Sequence, residues 1–159
     1  MEIEFDVKIT PNVLYDYMMR HTYSSMAGIM GSVVGVLMLI LFASNRQPIC
    51  LIIGVVILLY LPWTLFIKSR QQAINTPAFK KPLHYRLSDE GIEVSQDDST
   101  EQMECDGMVK AVSTFNSIVV YTTKTSACIF PKKDLGDSKY KVIEIISTHM
   151  PPNKVKIRG

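Results

Sequence analysis

The chain has 159 residues, 47% of them hydrophobic, and its 17 basic and 15 acidic side chains leave a formal charge of only +2. So mild a balance argues against a nucleic-acid partner. The charge is also unevenly spread, since Arg46 is the one charged residue between Arg20 and Lys68.

Residues 2–9 alternate polar and apolar through Ile3, Phe5, Val7 and Ile9, the period-two pattern of a half-buried strand. Thr10-Pro11-Asn12 ends it. Val13, Leu14, Tyr17 and Met18 then take helical spacing, with Thr10 placed to cap the helix and Pro11 at its first position. Residues 1–23 thus form a strand and a short helix ahead of the apolar region.

Two apolar runs follow, residues 24–44 and 49–67. As helices they reach about 31 and 28 Å at ~1.5 Å per residue, close to the ~30 Å hydrocarbon core of a bilayer. Thirteen Leu, Ile, Val or Phe residues in the second run and nine in the first favour insertion by roughly 4 to 8 and 3 to 5 kcal/mol respectively. The second span is therefore the stronger. Neither run has the polar face of a soluble helix, and the connector Asn45-Arg46-Gln47-Pro48 suits a tight turn. The expected unit is a transmembrane hairpin over residues 24–67. Lys8, Arg20, Lys68, Arg70, Lys80 and Lys81 flank its open end and only Arg46 its turn, so both termini should be cytoplasmic.

Residues 68–82, with Asn75-Thr76-Pro77 and Lys80-Lys81-Pro82, read as a juxtamembrane linker, a helix extension followed by an extended piece. Six short strands are expected over residues 83–87, 91–95, 100–105, 108–115, 117–123 and 126–130. Residues 138–150 then change to helical spacing, placing Val142, Ile143, Ile146, His149 and Met150 on an apolar face. Residues 83–150 thus predict a small curved antiparallel sheet capped by a C-terminal helix, a pleckstrin-homology-like arrangement. Pro151-Pro152 stops the helix, and 151–159 reads as a frayed basic tail. The whole is an α+β membrane protein in which the N-terminal strand has the chance to join the sheet.

Chemistry is sparse. His21, His84 and His149 lie in separate elements, and Cys50, Cys105 and Cys128 match no zinc or disulfide spacing. No phosphate loop or nucleophile elbow is present, so no catalytic, cofactor or metal site is assigned and no cofactor is expected. Two residue sets remain. Ser24, Gly28, Gly31 and Gly35 make a smooth stripe on the first span, fit either to pack on the second span near Gly54 or to join two chains in a homodimer. Lys80, Lys81, Lys132 and Lys133 are candidates for contact with anionic headgroups, worth about 1 kcal/mol each at a membrane surface.

The order Phe5-x-Val7-x-Ile9-Thr10-Pro11, paired spans, Tyr85-x-Leu87-x-x-x-Gly91-Ile92-x-Val94 and Ile129-Phe130-Pro131-Lys132-Lys133 resembles the YcxB-like family of small bacterial membrane proteins. Such proteins often carry tryptophan where this chain has Cys105. The resemblance implies a multi-pass protein of a bacterial plasma membrane with a pleckstrin-homology-like C-terminal domain, and it brings no catalytic residues. The expected function is a non-catalytic, membrane-anchored cytoplasmic module that binds a protein or lipid partner through the first span or the β domain. The rival expectation is an accessory subunit of a transporter or resistance assembly, with the hairpin making the functional contacts.

Overall fold

The structure is a computed structural model describing residues 1–124 and 126–157. Its element order is β1 (Ile3–Val7), α1 (Pro11–Tyr23), α2 (Met26–Asn45), α3 (Pro48–Asn75), β2 (Leu83–Leu87), β3 (Gly91–Gln96), β4 (Ser99–Glu104), β5 (Lys110–Ser113), β6 (Ser117–Tyr121), β7 (Ala127–Pro131), α4 (Lys132–Leu135), α5 (Lys139–His149) and β8 (Val155–Lys156). The chain is α+β, with two helices, α2 and α3, long and apolar enough to cross a membrane.

Those two helices are mostly uncovered by the rest of the chain. Only 11% of the apolar window of α2 and 6% of that of α3 is buried. Among the described residues, the exposed large apolar side chains outside Met26 to Ile67 are only Met1, Ile74, Val109, Phe115 and Tyr140. The connector is tight. Arg46 sits in the left-handed region at φ 56°, its N–H donates to the Phe42 carbonyl at 2.8 Å, and Pro48 starts α3. At the other end α1 does not run into α2. Ser25 breaks the path, accepting from Gly28 N–H at 3.2 Å and donating to the Thr22 carbonyl at 2.6 Å, and so caps the new helix.

The expected linker is mostly helix. α3 continues through Lys68 to Asn75, and Leu65 and Ser69 are buried while Ala73 packs on the domain core. These three residues are four apart and share one face. Ser69 donates to the Phe66 carbonyl at 2.9 Å, which lets a polar residue sit in that packed stripe. A 3₁₀ turn at Pro77–Phe79 then hands the chain to β2.

The strands divide between two four-stranded sheets where one was expected, in the orders β1-β2-β3-β4 and β7-β6-β5-β8. The 3₁₀ turn Cys105–Gly107 ends the hairpin series after β4, so β5 starts a second sheet. β1 does join, antiparallel to β2 with Phe5 opposite Tyr85 and Val7 opposite Leu83. The tail differs from expectation too: Val155–Lys156 pairs in parallel with β5, while positions 158 and 159 of that tail lie outside the described residues. β3 begins at a glycine for lack of room, because a Cβ on Gly91 would lie 2.2 Å from the Met103 carbonyl oxygen.

One core joins the pieces. Phe130 meets Phe5 and Tyr85 edge-on, with ring centroids 5.4 and 5.0 Å apart. All five positions of β6 are buried, and α1 lies against it with Val13 and Leu14 in the core. From α5, Val142, Ile145 and Ile146 are buried, whereas Ile143 is only half-buried and His149 turns toward Asp89, at 3.5 Å. The apolar face is thus rotated toward Ile145. Replacing Ile145 or Ile146 by Ala should each cost about 2 to 5 kcal/mol, and Ile143→Ala clearly less, measured by denaturant unfolding in mild detergent.

Candidate functional site

The glycine stripe is turned toward the chain's own second helix. A Cβ on Gly35 would lie 2.7 Å from Leu58 Cδ2, and one on Gly54 would lie 3.0 Å from Leu39 Cδ2 and 3.1 Å from the Gly35 carbonyl oxygen. Neither position has room for a side chain between α2 and α3. Gly31 is looser, its nearest neighbour being Leu61 Cδ1 at 3.8 Å. Gly28 serves a different contact, because a Cβ there would strike the Thr22 carbonyl oxygen at 2.1 Å where α1 turns into α2. Ser24 is an exposed helix cap.

The four lysines singled out by sequence do not converge. Lys81 pairs with Asp97 at 2.7 Å. Lys132 Nζ donates to the Thr114 carbonyl at 2.8 Å, and desolvation there lowers its pKa, aided by Lys139. It serves the β5–β6 turn, which α1 also holds: the Thr114 hydroxyl donates to Asp16 at 2.5 Å and accepts from Ser117 N–H at 3.0 Å. Lys80 and Lys133 remain exposed.

Titratable groups elsewhere are satisfied locally or dispersed. His84 lies 2.7 Å from Asp6 on the outer face of the first sheet, and Arg86 pairs with Glu2 and Glu4 beside it. His21 stacks on Tyr121. Burial pushes the Cys128 thiol up to about 11 and raises Tyr85 beside it, so the thiol stays neutral and poorly nucleophilic. Among the described residues, no three His, Cys, Asp or Glu side chains are grouped to hold a metal ion.

Two concave surfaces stand out. An apolar groove of about 540 Å³ runs along the outside of α3 between Tyr15, Tyr60, Trp63 and Phe66. The other is a cleft of about 300 Å³ whose charged lining is wholly basic, Arg20 from α1, Lys110 from β5, and Lys154 and Lys156 from the C-terminal strand segment. Sequence reasoning missed this set because its members are up to 136 positions apart. One signal was readable: Lys154-Val155-Lys156-Ile157 alternates polar and apolar, as a half-buried strand does.

No family model, curated protein or solved structure matches this chain at a significant level.

The two looser and tighter glycines should respond differently to one added methyl. Gly35→Ala should lower stability by about 1 to 3 kcal/mol through overpacking on Leu58. Gly31→Ala should be neutral or stabilise by up to about 1 kcal/mol through helix propensity. Thermal unfolding of the two variants in detergent separates them.

Proposed function

We propose that this protein is a membrane-anchored, non-catalytic module. Its α2–α3 hairpin crosses the bilayer with both termini on the cytoplasmic side, and its two-sheet domain is held at the membrane surface to engage a protein or lipid partner. The observation that carries this reading is the course of α3. One helix presents mostly exposed apolar side chains from Ile49 to Ile67 and then buries Ser69 and packs Ala73 on the domain core. In water such an apolar surface is an aggregation liability, whereas in lipid it needs no partner.

Arg20, Lys68 and Arg70 stand exposed where the apolar surface ends, which supports the cytoplasmic placement of the domain. Two antiparallel hairpin series closed by a C-terminal helix support the pleckstrin-homology-like and YcxB-like reading, for which the motifs around Tyr85, Gly91 and Phe130 are the sequence support.

Thiol labelling with a membrane-impermeant reagent tests the topology, once Cys50, Cys105 and Cys128 have been replaced. In intact cells a cysteine at Arg46 (Arg46→Cys) should react. Lys81→Cys and Ser138→Cys should react only after permeabilisation. Reaction of the two domain positions from outside with Arg46→Cys protected would reverse the orientation, and protection of all three until permeabilisation would remove the hairpin from the membrane.

A further inference from the structure

We infer that the basic cleft between α1 and the β5–β8 edge is a binding site for the phosphate of an anionic phospholipid, an inference that rests on the membrane-anchored reading and names its ligand class. The strand register builds the site. Ala111 lies opposite Val155 and Val112 opposite Lys156 in a parallel pair, so Lys110 and Lys154 are side-by-side neighbours and Lys156 follows two residues on along the same face. Arg20, in the last turn of α1, lines the cleft from across the gap.

Like charges on adjacent strands repel. Among the described residues, no carboxylate lies within 4.0 Å of the charged groups of Arg20, Lys110, Lys154 or Lys156. Lys110 instead rests over the Tyr121 ring at 4.5 Å, and Lys154 Nζ reaches only the Met108 carbonyl, at 3.4 Å. Arginine and lysine so placed offer a converging set of charged donors, which suits a phosphodiester oxygen pair.

The position selects a lipid over a free anion. Ser24 lines the cleft as well, and it lies two residues before Met26, where the first long apolar helix begins. A phosphate held there lies at the end of that helix, where headgroups sit when the hairpin spans the bilayer. The volume, about 300 Å³, admits a headgroup and excludes a nucleic-acid duplex. The four lysines favoured by sequence lack this arrangement, since Lys81 and Lys132 are already engaged.

The test uses the full chain in neutral, uncharged detergent, titrated with short-chain phosphatidylglycerol, short-chain phosphatidylcholine or inorganic phosphate while thermal unfolding is followed. Binding to the folded state raises the unfolding temperature by mass action. Phosphatidylglycerol should raise it, and the other two should not. In Lys110→Gln/Lys154→Gln the apparent affinity should fall at least about tenfold, while Lys80→Gln/Lys133→Gln keeps the wild-type response. Arg20→Gln, which leaves the strands untouched, should weaken the response in the same direction. An equal shift with inorganic phosphate would assign a free-anion site in place of a lipid site. Absence of any shift, or a shift unchanged in both cleft variants, would overturn the inference. Either result combined with the predicted thiol-labelling pattern would remove this site and leave the anchored module standing.

Discussion

The packing of α1 into the seam between α3 and β6 is the contact on which the rest of the structure depends. Leu14, 2% exposed, and Val13, 5% exposed, are buried there, and Tyr15 meets Phe66 edge-on at 5.9 Å. Without that seam β1 would have to find β2 across the entire hairpin. With it, the antiparallel α2–α3 pair returns the chain to its starting level, so the two strands meet with little further loop-closure entropy to offset. The glycine contacts at Gly35 and Gly54 set how closely α2 and α3 approach, and through that spacing they bear on whether β1 and β2 align. Hairpin and domain therefore form one mechanical unit.

That unit explains how polar groups are spent. On the outer face of the first sheet, Glu2, Glu4 and Asp6 of the N-terminal segment are set against His84 and Arg86 of β2. Exposed pairs of this kind add little stability. Asp16 and Lys132 are drawn inward to hold the β5–β6 turn. Arg20, Lys110, Lys154 and Lys156 collect in one cleft on the side nearest the start of α2.

Local periodicity made much of this legible. The alternation of Ile3, Phe5 and Val7, the unbroken apolar runs and the turn residues between strands each report a structure that forms over a few residues, and each element lies within a few positions of its expected place. What escaped depends on partners distant in the chain. Ser69 reads as a polar linker residue until α1 is laid beside it. Ile145 and Ile143 are equally apolar, and only the sheet beneath α5 decides which one is covered. Lys154 and Lys156 look like a charged tail because β8 is two residues long and owes its existence to the free edge of β5. The basic cleft was harder to read for a related reason: adjacent lysines are conspicuous in a sequence, whereas Arg20, Lys110, Lys154 and Lys156 come from three separate regions of the chain.

The central claim, that the domain is fixed to the hairpin and not tethered to it, is tested most directly by a spin-label distance between Arg46→Cys at the hairpin turn and Phe115→Cys at the β5–β6 turn. The protein would be reconstituted in lipid with its native cysteines replaced and its fold checked. Both sites are exposed, Phe115 at 91%, and the path between them runs through α3, the α1 seam and the Asp16–Thr114 contact. A single narrow distance distribution is the predicted result. A broad distribution spanning many ångströms would contradict the account and make residues 68–82 a flexible linker.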